Sequence, residues 1–103
     1  MENEDNIDII EMDKVDDDIT EPGNFALVGL NDSYTPMQFV VMVINNICHK
    51  TKDEAEKIMM DIHQKGKGIM FVGIEDIVVT KQTQIDSIAH QMCVPFKTVI
   101  EAL

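Results

Sequence analysis

Asn24-Phe25-Ala26-Leu27-Val28-Gly29-Leu30 runs directly into Asn31-Asp32-Ser33-Tyr34-Thr35-Pro36-Met37-Gln38. The first seven residues read as a strand. They are apolar at odd and even positions, which predicts that both faces are covered. Asn31 to Tyr34 is a cluster of turn formers. Thr35 then reads as a helix N-cap, with Pro36 at the first helical position and Gln38 completing a capping box. Met37, Val40, Val41, Ile44 and Cys48 follow at helical spacing.

Downstream, Thr51-Lys52-Asp53-Glu54 is a second capping box, and its helix carries Ala55, Ile58, Met59 and Ile62 on one face. Gly66 and Gly68 end that helix, with Lys65 in the last turn where a cation suits the dipole. Ile69 to Ile74 reads as a second strand. Glu75 to Val79 contains a β-branched run and reads as an extended continuation of it. A third helix follows Thr80, with Ile85, Ile88, Ala89 and Met92 on its buried face. Val94 to Ile100 is the last strand, with Pro95 at its entrance. The order β-α-α-β-α-β predicts an α+β fold, three helices packed on one face of a small antiparallel sheet.

The chain has 103 residues, enough for one small domain. It divides at Pro22-Gly23 into an acidic N-terminal extension, residues 1–23, and a core, residues 24–103. Residues 1–21 hold ten acids and one lysine; the remainder holds nine acids and seven lysines. Ile7, Ile9, Ile10, Met12, Val15 and Ile19 are scattered through the acids. Such a segment is too polar to order itself, and it reads as a flexible solubilising tail or as a tether with isolated apolar anchors. The formal net charge of −11, with no arginine, argues against nucleic acid and against an anionic membrane surface. The longest apolar run, Phe39 to Ile44, is far short of the about 20 residues of a membrane span. The acidic start is the wrong charge for a targeting peptide. Two cysteines, Cys48 and Cys93, build no disulfide framework, which fits a reducing, cytoplasmic setting.

Little here supports catalysis. Cys48 and His49 are adjacent and would diverge by about 100° on a helix, so no metal site is expected. No feature lowers a thiol pKa. Lys65-Gly66-Lys67-Gly68 lies at a helix end, not at the positive start that binds phosphate. No cofactor is implied, and no base–nucleophile pair stands out. The informative cluster is the turn itself. Its polar oxygens sit beside Met37, Val40, Met59 and Ile62, with His63 at the end of the second helix. That combination suits an amphipathic ligand, its cation at Asn31 and Asp32 and its apolar part among adaptable methionines.

The run Leu30-Asn31-Asp32-x-Tyr34-Thr35-Pro36-Met37-x-Phe39-Val40, then Glu54-Ala55-Glu56 with Ile58-Met59, then His63-x-x-Gly66-Lys67-Gly68, resembles the ClpS family from about Phe25 to the C-terminus. ClpS proteins are adaptors of ClpA- and ClpC-type AAA+ proteases, with a fold similar to the ribosomal stalk protein C-terminal domain. The resemblance implies a non-enzymatic protein that binds a bulky apolar N-terminal residue of a substrate, the N-degron, and hands the substrate to the unfoldase. It assigns the substrate α-amino group to Asn31 and His63, aided by Asp32; the family's further acid, two positions after the Asn, is here Ser33. It assigns the apolar pocket to Thr35, Pro36, Met37, Val40, Met59 and Ile62, with Met37 as a gate. Phe96 takes the place of a leucine-like floor residue, and Gly29 that of an apolar wall. Asp76 and Lys81 align with residues that face the unfoldase N-terminal domain. Two alternatives stand beside this reading: a ClpS-like regulator that docks on the unfoldase but binds N-termini weakly, and a stalk-like interaction domain.

Overall fold

The computed structural model describes residues 24–103; the expectations for the acidic extension fall outside that range. The order is β1 (Phe25–Leu30), α1 (Met37–Asn46), α2 (Lys52–Lys65), β2 (Lys67–Gly73), α3 (Glu75–Gln91) and β3 (Lys97–Ala102). The sheet order is β2-β1-β3, with β1 antiparallel to both neighbours. α2 packs on β2 and on α1, while α3 touches all three strands. Leu27, Met70 and Phe96 from the sheet side join Val43, Ile62 and Ile85 from the helices in one core.

β1 is buried as its sequence predicts, but helices cover only one of its faces. Ala26 and Val28 point to the opposite side, where the described residues supply no second layer. They are small and central, so their neighbours in the flanking strands shield them: Val72 lies opposite Ala26, and Ile69 and Val99 flank Val28. The Lys67–Glu101 ion pair, 3.2 Å, joins the two edge strands. A β-bulge lies where pairing steps from Leu27↔Phe71 to Val28↔Ile69. The extra residue, Met70, is fully buried, so Met70 and Phe71 both pack toward the helices.

α2 forms as its sequence predicts. Thr51 Oγ1 accepts from the Glu54 N–H, the Glu54 carboxylate accepts from the Thr51 N–H, and Gly66 closes the helix in the left-handed region at φ 91°. Elsewhere the structure corrects the reading. Thr35 does not cap α1. Pro36 takes the N-cap position in extended conformation, and its carbonyl accepts from the Phe39 and Val40 N–H groups. Thr35 turns back to Asp32: its hydroxyl donates a charge-assisted hydrogen bond to the carboxylate, which holds the side chain in the loop instead of over the first turn of α1. Glu75 to Val79 is helical, not extended. Val78 is one turn from the face that carries Gln82, Ile85 and Ala89, and its complete burial outweighs the modest helix propensity of β-branched residues. Glu75 and Asp76 also suit the positive end of α3. β3 starts three residues later than expected. Cys93, at φ 57°, ends α3 with Cys93 N–H to His90 and Val94 N–H to Ala89 carbonyls, a Schellman closure that delays the strand until after Pro95.

Gly29 faces Gly68 across the β1–β2 ladder. A Cβ at Gly29 would lie 2.6 Å from Met70 Sδ, 2.8 Å from Ile62 Cδ1 and 3.1 Å from Phe96 Cζ. Gly29→Val is therefore expected to overpack this point and to cost about 1–3 kcal/mol. Urea unfolding measures it; an unchanged midpoint would show that the three side chains yield freely.

Candidate functional site

The loop from Asn31 to Pro36 is held at both ends by its own polar groups. The Asn31 N–H donates to the Gly66 carbonyl at 2.9 Å, which ties the end of β1 to the turn after α2. Asp32 organises the rest. Its Oδ1 accepts from the Tyr34 N–H at 2.8 Å and the Thr35 N–H at 2.7 Å, and its Oδ2 accepts from Thr35 Oγ1 at 2.7 Å. This is an Asx turn with a hydroxyl added. Burial pushes the Asp32 carboxyl up, but the three hydrogen bonds outweigh it and hold the group below the ordinary aspartate range.

Beside this loop, α1 and α2 leave a cavity of about 290 Å3 lined by Asn31, Asp32, Ser33, Thr35, Met37, Val40, Met59, Ile62 and His63. Val40 and Ile62 are buried, Met59 is half-buried, and Met37 stands 43% exposed. Asn31, Ser33 and His63 are exposed. The Asn31 amide, the Ser33 hydroxyl and a neutral imidazole all offer acceptors. Nine of the twelve residues expected around the ligand thus meet at one cavity.

Gly29, Pro36 and Phe96 do not line it. Phe96 is buried, packs edge-on to Phe39 with ring centroids 6.0 Å apart, and lies with Gly29 under Ile62. The two shape the cavity through Ile62. Asp76 is exposed on the first turn of α3. Lys81 is half-buried. Its ammonium donates to the Ile47 carbonyl at 2.7 Å and sits 4.8 Å from the Phe71 ring centre, so it caps the end of α1. The reading of the sequence passed over a second groove, between α1 and α2, that shares Met37 and Met59 with the cavity. Its signal was present: Met42 and Met60 sit off the core-facing spacing of their helices.

Burial pushes the Cys48 thiol up to about 11 against the pull of Lys81 and Lys50, which keeps it in the protonated, less nucleophilic form at neutral pH. Among the described residues no group of three or more His, Cys, Asp or Glu could hold a metal, and no helix is long and apolar enough to cross a membrane.

The family described as "ATP-dependent Clp protease adaptor protein ClpS" matches residues 20–99. The chain belongs to the ClpS family. The Clp protease adapter ClpS of Gluconobacter oxydans is 41% identical over 81 residues, which cover 79% of this chain and 68% of that protein. That of Acetivibrio thermocellus is 37% identical over 84 residues, covering 82% and 85%. The solved structure of Agrobacterium tumefaciens ClpS2 bound to L-phenylalaninamide superposes with a TM-score of 0.77 at 26% identity, over 81% of this chain and 100% of that one. The three helices on an antiparallel β2-β1-β3 sheet are the ClpS fold, and the family's members are adaptors of the Clp protease. The match extends a few residues upstream of β1 and leaves most of the acidic extension outside it.

A carboxyl held below its ordinary value stabilises the folded state only while it is ionised. The contribution of Asp32 is complete above the unfolded value of 3.8 and is lost as pH falls from there through the lower folded value. Asp32→Asn is therefore expected to lower the melting temperature by a few degrees at pH 7, and the gap to the parent should begin to narrow as pH falls below 3.8 and close only below the lower folded value. A gap that persists at low pH would show that the charge is not what the loop uses.

Proposed function

We propose that this chain captures proteins by a bulky apolar N-terminal residue and delivers them to a AAA+ Clp protease. The observation that carries the reading is the joining of a small apolar cavity to a rim of acceptors on separate elements. About 290 Å3 is small for a ligand pocket. A cavity of about 150 Å3 already holds benzene, so the space suits one Leu, Phe, Tyr or Trp side chain rather than a folded partner. Val40, Met59 and Ile62 take that side chain. Burial of such a group contributes about 1.5–3 kcal/mol. Met37 stands over it as a gate that adapts to different shapes.

The α-amino group lies at the rim. Asn31 and His63 accept from it, with Ser33 as a third, uncharged partner. Asp32 supplies negative charge nearby while its oxygens hold the loop. The binding of phenylalaninamide by the Agrobacterium tumefaciens protein supports this placement, since that ligand offers a free amine and one aromatic side chain. The acidic extension serves as the segment the unfoldase grips during delivery. Asp76 and the half-buried Lys81 face the N-terminal domain of a ClpA- or ClpC-type unfoldase, in the cytoplasm.

A Leu- or Phe-initiated peptide should bind in calorimetric titration, and its N-acetylated form should not. Affinity should also fall as pH rises past about 7.7–8.0, where an α-amino group loses its charge. Equal affinity for the two forms would overturn the N-terminal reading.

Ser33 stands where the resemblance places an acid. A hydrogen bond to a charged group is worth about 1.5–3 kcal/mol, so Ser33→Asp should tighten peptide binding about tenfold or more. Unchanged affinity would place the amino group away from Ser33 and favour a regulator that binds N-termini weakly.

A further inference from the structure

The groove between α1 and α2 has a volume of about 710 Å3 and adjoins the N-terminal cavity, with Met37 and Met59 lining both. Val41, Met42 and Met60 make its apolar wall with the two shared methionines, and Gln38, Asn45, Asn46, Lys52 and Glu56 supply the polar part of the lining. We propose that this groove seats the third residue of the bound N-degron, an unbranched or γ-branched apolar side chain such as Leu or Met. The inference rests on the N-terminal reading of the neighbouring cavity.

The geometry of an extended peptide supplies the register. Successive side chains point to opposite faces, so residue 3 shares the face of residue 1 and lies roughly 6.5 Å further on. With residue 1 in the cavity, the Met37–Met59 ridge falls under the backbone and residue 3 falls into the groove. Residue 2 points to solvent. The exposed amides of Gln38 and Asn46 offer a donor and an acceptor each to the peptide backbone. Methionine walls on both sides suit side chains of varied outline, as a receptor of many substrates requires. Met60 contributes to the groove without joining the residues packed on the core, so it can be changed without opening the interior.

The test measures affinities by calorimetry on the full chain. The probes are L-phenylalaninamide and the amidated tetrapeptides Phe-Ala-Ala-Ala, Phe-Ala-Leu-Ala and Phe-Leu-Ala-Ala. The expected result is tightening of about tenfold for Leu at position 3 and little for Leu at position 2. Met60→Glu should abolish the position-3 gain and leave phenylalaninamide affinity unchanged, which also reports that the variant is folded; Met60→Leu should restore the gain. Equal affinity of the three peptides, with phenylalaninamide still bound, would overturn the inference and leave the N-terminal reading standing. Failure of phenylalaninamide to bind at all would remove both. If Met60→Glu instead weakens co-sedimentation with a Clp unfoldase, or dissolves a dimer, while the position-3 gain persists, the groove belongs to that partner and the proposal is wrong.

Discussion

Ile62 sinks over two glycines that face each other across the sheet, and the functional end of the molecule follows from that close approach. Its Cδ1 lies 2.8 Å from where a Cβ on Gly29 would be, and its Cγ1 3.0 Å from one on Gly68. Neither position tolerates a side chain without displacing it. Glycine in a strand costs about 0.5–1 kcal/mol relative to alanine. A fully buried isoleucine offsets that with about 1.5–3 kcal/mol. The exchange lowers the last turn of α2 onto β1 and β2. It brings His63, the next residue, to the level of Asn31 at the end of β1. Met70, forced inward by the bulge, and Phe96 fill the space on the other sides of Gly29, so Ile62 has one seat only.

The loop that completes the cavity has a separate source of order. Asp32 spends its carboxylate on three donors within its own turn, and the Asn31 N–H is fixed by the Gly66 carbonyl. The left-handed Gly66 that ends α2 thus also positions the first residue of the loop. A mobile loop would lose affinity by having to order on binding; this one is ordered by local bonds before any ligand arrives. In the N-terminal reading, Asp32 then acts as builder of the rim and as a fixed negative charge rather than as the principal acceptor.

The parts of the fold legible in the sequence are those whose partners sit within a few residues. Thr51 and Glu54 cap each other, and Gly66 ends α2, because nothing more distant competes for those groups. Thr35 had the same spacing to Gln38, yet Asp32 offered its hydroxyl a charged partner. The Glu75 to Val79 run was misjudged because burial of Val78 against distant elements decides its conformation, and spacing along the chain does not display that. Pocket residues on the loop and on α2 were readable through their resemblance to a family pattern. Gly29 and Phe96 were placed on the pocket surface by the same pattern, but Ile62, which lines the cavity, packs over Gly29 beside Phe96, a contact between distant parts of the chain that spacing does not display. The groove went unread because Met42 and Met60 look like ordinary surface positions until α1 and α2 are set side by side.

The cavity is lined partly by residues that hold the fold and partly by residues the fold does not need. Val40 and Ile62 are buried and serve both ends, so changes there disturb the core as well as the cavity. Asn31, Ser33 and His63 are exposed at the rim, where substitutions ordinarily change stability by no more than about 0.5 kcal/mol. A serine can therefore stand at position 33 with little effect on folding, and in the N-terminal reading the strength of the contact to the amino group is set independently of the apolar cavity. Met37 is intermediate: 43% exposed, flexible, and shared by the cavity and the groove. A small domain buries only about 60% of its unfolded surface, which leaves little interior for a dedicated binding chamber. In the N-terminal reading, methionines at the boundary let one shallow surface adjust to side chains of different outline, while the three exposed polar groups at the rim, which the core does not need, distinguish a free amino group from a blocked one.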